Sequence, residues 1–115
     1  SVRCAAVAGD ARLAAAGGSD GVLRLWDMTT GERAGADWRL GDKSLADVLL
    51  SADGKTLLAL DADGTVTLAA VDGRKTRATV TLAGAAGLAL AGDRFAAYTA
   101  DGLVVAYSAA GKELR

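Results

Sequence analysis

Side chains able to carry out chemistry are scarce in this sequence. It has no histidine, and its one cysteine, Cys4, stands in the apolar run Val2–Ala8 without a neighbouring base. Acyl-transfer triads and zinc sites depend on histidine or on several cysteines, which argues against both kinds of site. We interpret Cys4 as a small buried hydrophobe, and we expect no catalytic residue, no metal and no cofactor.

Aspartates are the remaining candidates. Asp61-Ala-Asp63-Gly64 has the start of a calcium-binding loop, but Asp72 stands where such a loop needs its closing glutamate. Aspartate instead precedes glycine five times along the chain. Both residue types tolerate the positive φ of tight hairpin turns, so we interpret these pairs as turns between short strands.

The turns recur with a constant step. Gly21, Gly64 and Gly102 follow one another at intervals of 43 and 38 residues, and each precedes an apolar strand. A second series and a third keep nearly the same step, at Gly31, Gly73 and Gly111 and at Gly9-Asp10, Asp53-Gly54 and Gly92-Asp93. The sequence therefore predicts an internal repeat, present three times, over approximately 1–41, 42–83 and 84–115.

Each repeat is predicted to hold four strands. The predicted strands are Val2–Ala8, Arg12–Gly17, Val22–Asp27 and Arg33–Leu40, then Leu45–Leu50, Thr56–Asp61, Thr65–Val71 and Thr76–Leu82, then Gly87–Ala91, Arg94–Thr99, Leu103–Ser108 and Lys112–Arg115. The first three strands of a repeat are almost continuously apolar, which predicts that both of their faces are covered. The fourth alternates, as in Thr76–Leu82, which predicts one face in water.

Charge and hydropathy point away from two classes of partner. Thirteen basic and fourteen acidic residues give a net charge of −1. The densest basic group is Arg74, Lys75 and Arg77, which we interpret as a solvated strand edge rather than a nucleic-acid footprint. No apolar run is long enough for a membrane helix. We expect a cytoplasmic protein with no nucleic-acid and no membrane partner.

The first repeat carries a recognisable motif. It reads Leu13-Ala-Ala-Ala-Gly-Gly-Ser-Asp-Gly21-Val-Leu-Arg-Leu-Trp26-Asp27 and is followed by the turn Met28-Thr-Thr-Gly31. The second repeat contains Ser51-Ala-Asp-Gly-Lys55. These segments resemble the WD-repeat family. The resemblance implies an all-β protein made of three consecutive β-propeller blades, each a four-stranded antiparallel sheet.

The resemblance also marks a set of structural residues. Asp20, Asp63 and Asp101 look like the aspartates of the family's hydrogen-bonded tetrad, but the chain has no histidine to complete it. We interpret these aspartates as turn formers. The full set of residues marked as structural is Asp20, Gly21, Trp26, Asp27, Asp63, Gly64, Asp101 and Gly102.

Three blades cannot close a ring, because propellers typically have about 4–8 blades. The first and last blades must each expose an apolar face, and such faces are normally covered in proteins. Two explanations stay open at this point. The chain is a piece of a larger propeller, or identical chains assemble, with two copies giving six blades and three giving nine.

The family resemblance implies a non-catalytic scaffold that binds other proteins through loops at one end of the blades. The loop at Asp42, Lys43 and Ser44 is the main candidate, together with Gly84–Ala86 and the three turns at Asp20, Asp63 and Asp101. The alternative is a piece of an enzymatic propeller, lactonase-like or quinoprotein-like, with a metal or cofactor in the central channel.

Overall fold

The computed structural model describes residues 2–91, 94–108 and 111–114, with no description of the Leu114 side chain. The predicted turn at Gly92-Asp93 and the last residue of the predicted final strand lie outside these ranges. The described chain forms three antiparallel sheets, each with its strands in chain order from one edge to the other.

The first sheet contains strands β1 (Val2–Val7), β2 (Leu13–Gly18), β3 (Val22–Asp27) and β4 (Trp38–Arg39). Its first three strands confirm the prediction to within a residue at each end. The predicted fourth strand, Arg33–Leu40, is wrong in its extent, since regular pairing is limited to β4 and an isolated bridge between Trp26 and Arg33.

A bulge explains the broken outer strand. Gly35 has a φ of +90°, which departs from extended backbone, and a Cβ there would lie 2.5 Å from Nη2 of Arg74. Arg74 belongs to the second sheet and donates to the carbonyl oxygens of Ala34 and Ala36. The interpretation of Arg74 as part of a solvated strand edge is therefore wrong, because its guanidinium fills the bulge of the neighbouring sheet.

The second sheet contains β5 (Leu45–Leu50), β6 (Thr56–Asp61), β7 (Thr65–Ala70) and β8 (Lys75–Thr81). A 3₁₀ turn at Asp72–Arg74 joins its last two strands. β5 and β6 have the predicted bounds. In β8, Ala78 is buried while its neighbours Arg77 and Thr79 are exposed, as the alternating pattern predicted.

The third sheet contains β9 (Ala85–Ala91), β10 (Arg94–Thr99), β11 (Val104–Tyr107) and β12 (Glu113–Leu114). β10 has the predicted bounds, and β9 begins two residues before the predicted start. In its interior face the rings of Phe95 and Tyr107 stack, with centroids 5.0 Å apart and an interplanar angle of 19°.

Two cores hold the three sheets face to face. The first core lies between the first and second sheets and is formed by Ala15, Leu23, Leu25, Trp38, Leu45, Val48, Leu57, Ala59 and Ala69. The second lies between the second and third sheets and is formed by Leu58, Leu60, Val66, Leu68, Ala78, Leu88, Phe95, Ala97 and Tyr107. Successive residues of a strand point to opposite faces, so Leu57 and Leu58 serve different cores.

No other described part of the chain covers the two outer faces of the set. β1 was predicted to be covered on both sides, but Val2 and Val7 are 64% and 55% exposed. At the other end of the set, Val104 of β11 is 66% exposed. This is the exposure of terminal apolar faces that three blades require.

Candidate interaction surface

The three Asp-Gly turns lie at the same end of their sheets. Each joins the second strand of a sheet to the third, and the sheets pack with their strands in corresponding order. Gly21, Gly64 and Gly102 have φ values of +77°, +85° and +102°, the region that glycine adopts readily and other residues avoid. The chain therefore places three equivalent turns side by side across the three sheets.

The linkers between sheets return to this end. The Ala62 amide donates to the Ser44 carbonyl over 2.8 Å, and the Leu82 amide donates to the Gly64 carbonyl over 2.9 Å. We call the three turns together with residues 41–44 and 82–84 the turn surface. A register pairing of Thr99 with Ala85 brings the third turn next to the second linker.

Glycine at position 21 is required by close approach as well as by conformation. A Cβ there would lie 2.8 Å from the carbonyl oxygen of Lys43 and closer still to that of Gly41. The Arg39 guanidinium adds a further tie, since it donates to the carbonyl oxygens of Asp20 and Gly41 over 3.1 and 3.2 Å. The first turn and the first linker thus form one continuous piece of surface.

The predicted loop at residues 42–44 lies within this surface. Asp42 and Lys43 are exposed, and Ser44 is half-buried. The Nζ atom of Lys43 lies 3.8 Å from Oδ2 of Asp63, so an ion pair links the first linker to the second turn. The structure therefore brings the loop and two of the three marked aspartates together.

The Asp20 side chain folds back onto its own turn. One carboxylate oxygen accepts the Val22 amide over 3.2 Å, and the other accepts the Arg24 guanidinium over 3.3 Å. The Arg24 hydrogen bond is the main reason that the pKa of the exposed Asp20 carboxyl is lowered. Its side chain holds the turn while remaining on the surface.

In the second turn a different aspartate has that role. Asp61, three residues before Gly64, accepts the amides of Asp63 and Thr65 over 2.9 and 3.0 Å. The Asp63 carboxylate is left to pair with Lys43. Sequence reasoning assigned the turn to Asp63 alone.

The third turn repeats this arrangement with a threonine. The Thr99 hydroxyl donates to the Asp101 carboxylate, which lowers the pKa of Asp101, and it accepts the Leu103 amide over 3.1 Å. The missed signal is an oxygen-bearing side chain three residues before the turn glycine. In the first repeat that position is Gly18, which has no side-chain oxygen. The Asp20 carboxylate accepts the turn amide there instead.

Trp26 and Asp27 lie away from the turn surface. β3 carries them to the opposite end of the first sheet, where Asp27 accepts the amide and the hydroxyl of Thr29 over 2.8 and 2.6 Å. The hydroxyl bond is the main cause of the lowered pKa of Asp27. Trp26 is half-buried on the outer face of the first sheet, with Cζ of Arg33 5.3 Å from its ring centroid.

A groove adjoins the turn surface between the first and second sheets. Its volume is about 160 Å³, and its lining includes Lys43, Asp61 and four threonines, Thr65, Thr67, Thr76 and Thr79. The first sheet leaves this space because its outer strand is only two residues long. No feature of the sequence indicated the groove. It depends on the short outer strand of the first sheet and on threonines of the second sheet.

This surface is rich in charged side chains. It carries four exposed aspartates, Asp20, Asp42, Asp63 and Asp101, and the cations Arg24, Arg39 and Lys43. Within residues 2–91, 94–108 and 111–114, no three acidic, cysteine or histidine side chains are grouped in a way that could hold a metal ion. Cys4 is elsewhere, packed against the first core, and burial raises the pKa of its thiol.

Three consecutive four-stranded antiparallel sheets packed face to face are blades of a β-propeller. The structure is similar to the β-propeller domain of Cps50 (Swd1) from Myceliophteria thermophila, with a TM-score of 0.84 and 22% sequence identity. The match covers 99% of this chain and 36% of that chain. The fold implied by the WD-repeat resemblance is confirmed.

The fold alone is what this likeness shows. In total 922 chains of solved structures match, and a fold shared so widely hosts many functions. No protein-family model matches the sequence, and no curated protein matches it. In the part of the chain that the structure describes, no helix is both long and apolar enough to cross a membrane.

Proposed function

We propose that this chain is a non-catalytic propeller module that binds other proteins through its turn surface. The repeats of approximately 1–41, 42–83 and 84–115 are its blades. The observation that carries the proposal is the gathering of the Asp42-Lys43 linker and three Asp-Gly turns at one end of the sheets. The WD-repeat resemblance implies that loops at this end recognise proteins.

Charge indicates the kind of segment that this surface accepts. The four exposed aspartates outnumber the three cations Arg24, Arg39 and Lys43, and two of the aspartates are already paired, Asp20 with Arg24 and Asp63 with Lys43. A segment rich in lysine and arginine would complement the remaining carboxylates. The threonine-lined groove next to Lys43 offers hydroxyl groups to a polar side chain of such a segment.

The proposal is tested by selecting binding peptides against the intact chain from a random library and measuring their affinity by calorimetry. The selected peptides should be basic, and Asp42→Asn and Asp101→Asn should weaken their binding. Asp72→Asn is the matched control, because Asp72 is an exposed aspartate in the turn at the opposite end of the second sheet. An equal loss of peptide affinity in Asp72→Asn, or no loss of affinity in the other two variants, would contradict the proposed surface.

Calcium provides a separate check against the enzymatic alternative. A binding module of this design should show the same melting temperature with and without millimolar calcium. A large rise would favour a propeller with a metal in its channel.

A further inference from the structure

The outer face of the third sheet is a shallow apolar hollow. Phe95 and Ala97 point into the second core, so Ala96 and Tyr98 point outward. The hollow has a volume of about 200 Å³, and small side chains form its floor, including Ala89, Ala96 and Ala106. Tyr98 and Val104, which are paired across the strands on the same face, are 44% and 66% exposed.

The outer face of the first sheet has the opposite shape. Ala15 and Leu25 point into the first core, so their neighbours Ala14 and Trp26, which are paired across the strands, point outward. Trp26 is the largest side chain on this face. The Arg33 guanidinium lies over its ring.

Sizes at equivalent positions show how the two outer faces fit together. The first core contains the large Leu25 from one sheet and the small Ala69 from the next. Counting from the turn glycines, Ala106 is the equivalent of Leu25, and Trp26 is the equivalent of Ala69. The large and small residues are thus exchanged, so that a large side chain again stands opposite small ones.

Charge agrees with size. In the first interface, a Cβ on Gly54 would lie 3.7 Å from Cβ of Leu13, so the turn that begins with Asp53 packs on the start of β2. The equivalent of Leu13 is Arg94. The equivalent turn contains Asp10, which accepts the Arg12 amide over 3.0 Å as Asp53 accepts that of Lys55. The same docking geometry would place Arg94 beside Asp10.

A third pair of equivalents is apolar on both sides. Gly17 packs against Leu45 in the first interface, where a Cβ on Gly17 would lie 3.0 Å from Cβ of Leu45. The equivalent of Gly17 is Tyr98, and that of Leu45 is Val2. Both are exposed large hydrophobic side chains.

We infer that the outer face of the third sheet binds the outer face of the first sheet of a second copy, with Trp26 of one chain seated in the alanine hollow of the other. Two such contacts close two chains into a ring of six blades, within the usual range of about 4–8. The inference rests on the proposed function and deepens it, since it names the partner that completes the platform and leaves the turn surface free.

The test is the solution mass of the full chain by sedimentation equilibrium over a range of concentrations. The expected mass is that of two chains of 11.5 kDa. Trp26→Ala and Ala106→Leu should each weaken the dimer by about tenfold or more. The double variant should recover affinity, because it restores the combination of sizes seen at Leu25 and Ala69. Arg77→Leu, at an exposed position on the outer strand of the middle sheet, should leave the mass unchanged.

A monomer at every concentration, an open series of growing species, or a dimer unaffected by both single variants would overturn the inference. Circular dichroism of each variant shows that a loss of dimer is not a loss of fold. The outcome is independent of peptide binding. A monomer that still binds basic peptides at the turn surface would contradict only the contact with a second copy. A dimer that binds no basic peptide would contradict only the proposed function.

Discussion

The guanidinium of Arg74 lies over the indole ring of Trp38, with its Cζ atom 5.7 Å from the ring centroid. Arg74 comes from the second blade and Trp38 from the outer strand of the first. The same guanidinium donates to the carbonyl oxygens of Ala34, over 2.9 Å, and Ala36. One side chain therefore replaces the strand pairing that the bulge in the first blade removes, and it joins the two blades at their rim.

Arg74→Ala should lower the free energy of unfolding by about 2 kcal/mol, because two charged hydrogen bonds and a cation–π contact are lost. Arg74→Lys should recover only part of this, since an ammonium cannot reach both carbonyl groups with one planar fork. Urea denaturation gives the measurement. Arg77→Ala, at an exposed position on β8, should change stability by less than about 0.5 kcal/mol. Similar losses for the two alanine variants would contradict the role of Arg74.

Gly21→Ala should destabilise the chain by more than about 2 kcal/mol or prevent folding, because a methyl group would collide with the Gly41 and Lys43 carbonyl oxygens in addition to the strain of positive φ. Gly31→Ala is the matched control. Its φ of +78° is nearly the same, and nothing lies within 4 Å of the added Cβ. It should cost only about 1 kcal/mol of conformational strain. Equal losses in thermal denaturation would show that close approach at position 21 is unimportant.

Leu58→Ala should cost about 2–5 kcal/mol, since Leu58 is completely buried between the second and third blades. Leu57→Ala should cost a similar amount, because Leu57 is equally buried on the other face of the same strand. Met28→Ala, where the side chain is 49% exposed, is the control and should have little effect. Guanidinium denaturation gives the measurement. If either leucine variant kept full stability, the second blade would not be packed against a neighbour on that face.

Acid should destabilise the fold. The pKa values of Asp20, Asp27, Asp53 and Asp101 are all lowered, chiefly by side-chain hydrogen bonds from Arg24, Thr29, Ser51 and Thr99 respectively. A carboxyl whose pKa is lower in the folded chain binds fewer protons there than in the unfolded chain. The resulting stability is present above the ordinary pKa of about 3.9 and is lost as the pH falls through the lower folded values. Melting temperatures that stay level from pH 5 to about pH 2 would contradict this.

One carboxyl allows a sharper form of the same prediction. Thr29→Ala should raise the pKa of Asp27, measured by carbon NMR of the carboxyl group, because the Thr29 hydroxyl bond is the largest cause of its lowering. Thr30→Ala is the control, since the Thr30 hydroxyl accepts the Glu32 amide and has no bond to Asp27. A pKa that moves equally in both variants would assign the effect to the turn backbone instead.

Much of the fold could be predicted because its causes are local. The Asp-Gly turns need positive φ, and their spacing along the chain located three sheets before any contact was known. Apolar runs between the turns set the bounds of β3, β5, β6 and β10. The position of residues 42–44 between two sheets also follows from the turn spacing, since a linker must follow the outer strand of one sheet and precede the inner strand of the next.

The tertiary structure alone decided which residues far apart in the chain come into contact. Arg74 and Ala34 are 40 positions apart, and no local pattern reveals that one fills a bulge around the other. The pairing of Lys43 with Asp63 likewise depends on how two blades pack. Turn spacing located the strands next to each turn because backbone geometry acts over a few residues. Which charged side chain meets which partner is set by the packing of whole sheets, and that is a property of the folded chain.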